Sequence, residues 1–320
     1  MHGSALQPLS ILRSDSSEHT EPAHKVLVKD SRFLSSEDIP DESVHLVVTS
    51  PPYPMVKMWD EFFASMGCTS FEKAHDALAE VWHQCYRTLV DGGIACINIG
   101  DATRTVPVID SDGSDESSKQ VFKLFPNHVA ITQKFHSIGF QSLPYILWKK
   151  PTTRPKYKGK TVFLGSGFLP TNAYVTLDVE YILIFRKGGP RRFDPKDKQR
   201  YDSQYTKEQR DEWFSQIWSG INGTRQTIGD SERRIAAFPE EIPSRLIRMF
   251  SVKGDIILDP FLGSGTTMKV AAELERRSIG VEADESLYPI ILQKIGAHDP
   301  ESPIGRQGIL LPNTIQHKPF

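Results

Sequence analysis

With 320 residues, 38% of them hydrophobic and 24% charged, the chain can bury a sizeable core, as one large domain or a domain with an insertion. No stretch is long and apolar enough to cross a membrane, and Met1 to Pro22 lacks the apolar core of a signal peptide, so residues 1–23 read as a flexible tail. The formal charge of −2 hides an asymmetry: residues 149–234 hold 18 Lys/Arg against 10 Asp/Glu, a basic stretch suited to a polyanionic partner.

In chain order, Lys25–Lys29 reads as a strand ending at Asp30, and Val44–Thr49 as a strand that runs into Ser50-Pro51-Pro52-Tyr53. His75–Val90 carries Leu78, Val81, Trp82, Cys85 and Leu89 on one face, a helical period. Gly92-Gly93 ends that region, and Ile94–Ile99 is a buried strand closing at Gly100-Asp101. The polar run Asp110–Lys119 is expected to be a mobile loop. A helix around Asn127–Ser137, strands at Leu143–Trp148 and Val179–Arg186, and a helix near Pro243–Ser251 follow. The apolar run Ile256–Asp259, a helix Thr266–Arg276 and a strand Ser278–Val281 ending in Glu282 bring the chain to a Pro-containing tail after Gly296, expected on the surface or disordered. Gly188–Arg234, with little periodicity and many charges, is assigned with Lys149–Thr171 to target recognition.

Two segments carry chemistry. Two prolines in series cannot continue a sheet ladder, so Ser50-Pro51-Pro52-Tyr53 is a rigid corner presenting a hydroxyl, backbone carbonyls and an aromatic ring to a small planar ligand. Acceptors around an exocyclic amino group, with a ring stacked on the base, are what amino methylation of a nucleobase needs. The second segment is Asp259-Pro260-Phe261-Leu262-Gly263-Ser264-Gly265-Thr266-Thr267, a carboxylate at a strand end followed by a glycine turn and a helix start. Met268 stands where the dinucleotide fingerprint has its third glycine, while Glu282 lies about 20 residues on, where an acidic side chain grips ribose hydroxyls. The pair suggests an adenosine-containing cofactor in an open α/β sheet.

Together these residues resemble the DNA amino-methyltransferase family that uses S-adenosylmethionine, over roughly residues 24–295. Asp259 to Thr267 is similar to its cofactor loop and Ser50 to Tyr53 to its catalytic loop, and Phe238-Pro239-Glu240-Glu241-Ile242-Pro243 resembles the segment before the cofactor strand. The catalytic loop comes first, as in the permuted beta class; serine at position 50, where the adenine enzymes usually carry aspartate, is the N4-cytosine pattern. The resemblance implies a Rossmann-like methyltransferase fold: a mixed, mostly parallel sheet with helices on both faces, and a target-recognition insertion. It divides the chain into a catalytic half at 24–148, an insertion at 149–234, a cofactor half at 235–296 and a tail at 297–320. Ser50, Pro51, Pro52 and Tyr53 would be catalytic; Asp30, Phe238, Pro239, Asp259, Pro260, Phe261, Gly263, Ser264, Gly265, Thr266 and Glu282 would bind the cofactor.

Each assignment has a plainer alternative. Asp30 contacts the adenine end of the cofactor or caps a turn; Asp259 contacts its methionine moiety or orders the loop. Phe238 and Pro239 wall the cofactor or pack at a helix entry. Trp59, Trp148, Lys149 and Lys150 line a DNA cleft, or Trp148 belongs to the core. Cys68, Cys85 and Cys96 have neither paired nor metal-ligand spacing, which fits a reduced cytoplasmic setting, and none follows a proline as the nucleophile of carbon-5 cytosine methylation does. The histidines show no compact ligand spacing, so no metal is expected. The expected activity is methylation of cytosine N4 in duplex DNA within a restriction–modification system, beside a cognate endonuclease. N6-adenine methylation and a non-catalytic DNA-binding subunit of the same fold are the alternatives.

Overall fold

The computed structural model describes residues 23–109, 115–150, 177–223 and 238–311, with short pieces at 156–157, 160–161, 175, 226–227 and 234–235. Strands β1 (His24–Val28), β2 (Val44–Thr49) and β3 (Leu89–Ile99) precede a hairpin of β4 (Ala102–Ile109) and β5 (Asp115–Phe125) that stands off the main sheet. β6 (Gln141–Lys149) leads to a short hairpin, β7 (Lys156–Tyr157) and β8 (Lys160–Thr161), before β9 (Val179–Arg186). β10 (Ile217–Trp218), the short pair β11 (Gln226–Thr227) and β12 (Arg234–Ile235), then β13 (Ile256–Asp259), β14 (Arg277–Glu282) and β15 (Ile309–Leu310) follow. The main sheet runs β10-β6-β9-β3-β2-β13-β14-β1-β15, with β9 antiparallel to both neighbours and every other pair parallel.

The central strands are largely apolar because both faces are covered. Ala95, Ile97, Ile99, Leu183 and Phe185 point into one layer, with helices α1 (Asp60–Ser65), α2 (Phe71–Thr88) and α3 (Asn127–Ile138). Within it Trp82 and Phe135 lie 5.2 Å apart and Phe135 stacks on Phe185 at 4.1 Å, pairs worth about 0.5–1.5 kcal/mol each beyond their buried area. The Ser70 side chain, accepting from the Lys73 amide, starts α2. Beyond the short helices α4 (Lys198–Asp202) and α5 (Lys207–Trp213), the opposite layer takes Leu46, Val48, Ile94, Cys96, Ile182 and Ile184. They pack against α6 (Glu241–Phe250) and α7 (Thr266–Glu273). A smaller cluster joins Val26, Leu262 and Met268 to α8 (Tyr288–Ile295) and α9 (Pro303–Gln307).

Several sequence expectations need correction. Gly92-Gly93 does not end an element: β3 runs through it, with Gly92 at φ 78° where an added Cβ would meet the Arg191 amide at 2.5 Å. Residues 115–119 of the expected loop belong to β5, which the β-branched run Thr103, Thr105, Val106, Val108 in its partner strand foreshadowed. Residues 303–310 of the expected tail form α9 and β15, and β15 pairs with β1 at the sheet edge.

The region assigned to target recognition divides. The Gly92 amide donates to the Lys187 carbonyl, Arg191 pairs with Asp255 just ahead of β13, and the Lys253 amide donates to Ser203. Residues 188–203 therefore sit at the end of the sheet opposite Ser50, because β9 is antiparallel and delivers the chain there. From α5 onward the chain returns along the sheet edge: Arg245, itself buried, pairs with Glu212 and Glu241 and lies 5.1 Å from the Trp218 ring. Residues 1–22, most of Lys149–Thr171 and 312–320 lie outside the described residues. No helix among the described residues is long and apolar enough to cross a membrane.

Candidate active site

β2 and β13 are adjacent and parallel, with Leu46 opposite Ile257 and Val47 opposite Leu258. The chain leaves β2 toward β3 through α2 on one face and leaves β13 toward β14 through α7 on the other. This is a topological switch point, where open α/β sheets open a crevice beyond the strand carboxyl ends. Ser50-Pro51-Pro52-Tyr53 and Asp259–Thr267 are the two loops that emerge there.

One carboxylate ties the loops together. Asp259 accepts from the Thr49 hydroxyl at 2.6 Å, from the Thr267 hydroxyl at 2.6 Å and from the Phe261 amide at 3.1 Å. It is buried, and burial pushes its carboxyl up to about 6 although all three donors pull it down. Of the two roles open to Asp259, the geometry favours ordering the loops. Pro260 is held from the other side, its carbonyl accepting from Ser31 at 2.5 Å, and Phe261 packs edge-on to Trp82.

The glycine turn is built for packing as much as for ligand approach. Gly263 and Gly265 have φ of 55° and 92°, but a Cβ on Gly265 would stand 2.8 Å from Ile295 Cγ2, so it is α8 that comes close. Gly265→Ala should destabilise the protein by roughly 2 kcal/mol through backbone strain and overlap. Ile295→Ala, which removes Cγ2, should cost less stability in the Gly265→Ala background than in the wild type, read from thermal melts; equal costs in the two backgrounds would mean the clash contributes nothing. Ser264 and Thr266, both expected at the cofactor, are buried and receive Lys294 Nζ at 3.0 and 2.7 Å. Lys294, on α8, was not anticipated.

Glu282, at the end of β14, accepts from the Gly263 amide at 2.8 Å and the Asp284 amide at 2.9 Å, and burial raises its carboxyl. Asp30 begins a turn, accepts from the Arg32 amide at 2.9 Å and pairs with its guanidinium at 2.7 Å. Burial pulls the Asp30 carboxyl up, but the Arg32 bonds outweigh it and hold the group below its ordinary range. Asp30, Glu282 and the Gly263 turn thus stand at the carboxyl ends of the adjacent parallel strands β1, β14 and β13.

Beside Ser50 opens a cavity of about 410 Å³, lined by Tyr53, Trp59, Asn98, Asp101, Trp148, Lys150, Glu180 and Phe238 among others. Tyr53 donates its phenol to Glu180 at 3.0 Å, receives Asn98 Nδ2 at 2.8 Å and lies 3.2 Å from the Ser50 hydroxyl. Burial, with the Glu180 charge added, holds that phenol well above the usual tyrosine range, so it stays a donor. Glu180 also accepts from Asn98 Nδ2 at 2.8 Å and pairs with Lys150. A Cβ on Gly100 would meet the Tyr53 ring at 3.1 Å and Glu180 Cγ at 3.2 Å, which explains glycine there. The buried Asn127 amide donates to the carbonyls of Pro54 and Gly100, locking the corner to β3.

Asn98, Gly100, Asn127 and Glu180 were missed in the sequence, although polar residues inside the apolar runs Ile94–Ile99 and Val179–Arg186 were a signal: such groups are buried only with partners. Trp148 is buried with Nε1 bonded to the Ile221 carbonyl, as its core reading expects, and it also lines the cavity. Lys150 and Trp59 reach the cavity as well. Phe238 lines this cavity beside Ser50 and also packs on the core, and Pro239 is buried beside it. Cys85 and Cys96 are buried, their thiols pushed well up by burial, and no metal-ligating cluster occurs among the described residues.

Comparison with known proteins agrees with this architecture. The Type II methyltransferase M.MjaI of Methanocaldococcus jannaschii is 55% identical over 296 residues, 85% of this chain and 91% of that protein. M.MthZI of Methanothermobacter thermautotrophicus is 42% identical over 289 residues, 85% and 76% of the two chains. The crystal structure of the putative DNA modification methylase TTHA0409 from Thermus thermophilus, complexed with S-adenosyl-L-methionine, superposes with a TM-score of 0.64 at 30% identity, covering 91% of this chain and 100% of that one. The PvuII DNA methyltransferase shares the fold, with a TM-score of 0.54 at 19% identity over 93% and 99% of the chains. The sheet is accordingly the Rossmann-like methyltransferase fold, and, with residues 44–293 matching the DNA methylase family (N6_N4_Mtase), the chain belongs to that family.

Proposed function

We propose that the protein transfers a methyl group from S-adenosyl-L-methionine to the exocyclic N4 amine of cytosine in duplex DNA, in the cytoplasm, as the modification enzyme of a restriction–modification system. The observation that carries the proposal is the Asp259 bridge, which sets the Ser50 corner and the Gly263 turn against each other at the switch point with the base-sized cavity beside Ser50. Membership of the DNA methylase family gives the coarser activity; Ser50, where the adenine enzymes usually carry aspartate, supports the cytosine reading. A cognate endonuclease is the partner that the Type II names of the relatives suggest.

The crevice fits the cofactor by its donor set: carboxylates at two strand ends, Asp30 and Glu282, for hydroxyl and amino groups, and the backbone of the Gly263 turn between them. Pro260 and Phe261 shape that turn, while Asp259, Ser264, Gly265 and Thr266 hold it from behind. S-adenosylmethionine bound there supplies an electrophilic methyl group.

The protein's part is to present the amine. A base inside the helix is unreachable, so the target cytosine is rotated out of the duplex into the cavity, with its face against Tyr53. Its amine is a poor nucleophile because the lone pair is delocalised into the ring. The Ser50 hydroxyl and the Pro51 carbonyl accept its hydrogens and favour a pyramidal nitrogen, and Pro51 and Pro52 keep those acceptors rigid. Transfer is a direct in-line displacement with no covalent enzyme intermediate; the amine becomes acidic as it is methylated.

Incubating duplex genomic DNA with the protein and labelled cofactor, then digesting to nucleosides, tests this. N4-methylcytosine is the expected product. N6-methyladenine would replace the cytosine reading with the adenine one, and absence of transfer despite cofactor binding would favour a non-catalytic DNA-binding role.

A further inference from the structure

We propose that Glu180 is a positioning residue that sets the direction of the hydrogen-bond chain ending at Ser50, and so makes Ser50 an acceptor toward the target amine. The inference rests on the amine-methylation reading above and deepens it.

The direction follows from what each group can do. A carboxylate has no proton to give, so the Tyr53 phenol, 3.0 Å from Glu180 Oε2, must donate to it. Asn98 lies 2.8 Å from the same oxygen and 2.8 Å from the Tyr53 hydroxyl, and its Nδ2 supplies one hydrogen to each. That orientation leaves Asn98 Oδ1 buried without a partner among the described residues, and the flipped amide is disfavoured because it would set an oxygen against the Glu180 carboxylate. Tyr53 has then spent its single proton and one lone pair. What remains at its oxygen is a second lone pair, and the neighbour 3.2 Å away is the Ser50 hydroxyl, which must donate into it. The Ser50 proton is turned away from the substrate, and its own lone pairs are left for the amine hydrogens.

Lys150 keeps this arrangement polarised from the far side, pairing with Glu180 Oε1 at the cavity wall. Glu180 is itself 8% exposed, on a strand whose flanking residues serve the core, so no solvent role accounts for a carboxylate there.

Glu180→Gln keeps the shape and loses the obligation. Its amide can give hydrogens to Tyr53 and Asn98 while its carbonyl serves Lys150, and the direction of the chain is no longer imposed. The test is a double-mutant cycle of Glu180→Gln and Tyr53→Phe on methyl transfer to DNA, with the wild type measured first. Failure of the wild type to transfer methyl groups would remove the functional reading itself. With an active wild type, Glu180→Gln should lower kcat roughly tenfold, with KM for DNA and Kd for S-adenosylmethionine within about twofold. In the Tyr53→Phe background, where the relay is already cut, the same substitution should change kcat by less than about twofold. Equal losses in both backgrounds, or an unaltered kcat in Glu180→Gln, would overturn the proposal. Glu180→Asp covers the case in which the glutamine variant does not fold: it keeps a pure acceptor and should retain a higher kcat than Tyr53→Phe, and a lower one would likewise overturn it.

Discussion

Ser50→Ala should reduce kcat for methyl transfer by about 10²-fold or more while cofactor affinity stays within roughly threefold. The reason lies in where the hydroxyl sits. Ser50 is the first residue beyond β2, half-buried, on the wall of the cavity and bonded to Tyr53. The residues proposed for the cofactor stand at the ends of β1, β13 and β14, and the Thr49–Asp259 hydrogen bond joins them to the strand that carries Ser50. Removing the hydroxyl takes away an acceptor that matters most as charge develops on the amine nitrogen, leaving the ground-state cofactor site as it was. Two measurements are needed, single-turnover transfer to DNA and cofactor titration of the free protein. Parallel loss in both would assign Ser50 to cofactor binding and undo the division of labour between the loops. The Tyr53 phenol should be left intact by the substitution, since Glu180 and Asn98 still hold it.

Much of this architecture could be read from residue order alone, and the particular failures have physical causes. The strands Val44–Thr49 and Ile256–Asp259 announce themselves because both faces are buried and the runs are mostly apolar. The loops after them were legible because proline and glycine restrict or free the backbone in ways few other functions require. Reading Gly92-Gly93 as a terminator failed because its purpose is tertiary: it makes room for the turn at Gly189 and Arg191. Gly265 shows the same limit, since nothing local reveals that Ile295 of α8 will press on it. Residues 188–203 lie at the far end of the sheet from Ser50 for a topological reason that the assignment of 188–234 to target recognition did not foresee. Charge density says that a segment is solvated, whereas the reversal of β9 alone decides which end of the sheet it reaches. Glu180 was overlooked because a single charge in Val179–Arg186 looks like noise until Tyr53, Asn98 and Lys150 converge on it from three other segments.

Asp259→Asn should uncouple stability from pH in a window where the wild type is sensitive. The carboxyl titrates near 6 in the folded protein, raised by burial from an unfolded value near 3.8. A raised carboxyl means that the folded state holds its proton more tightly, so the favourable contribution is complete below the unfolded value. It is lost as pH climbs through about 6, a change of roughly 3 kcal/mol for a shift of about two units. Asparagine carries no charge at any pH and removes that slope. It also turns one acceptor oxygen into a donor facing Thr49, Thr267 or the Phe261 amide, at a cost of about 1–3 kcal/mol. The variant should therefore melt below the wild type at pH 4, and the gap should close or reverse by pH 8. Thermal melts of both proteins across that range give the difference directly, free of other titrating groups. Parallel curves would mean that Asp259 ionises as it does in water, and that the anion joining the two loops is stabilised by far more than the two threonines and one amide now seen around it.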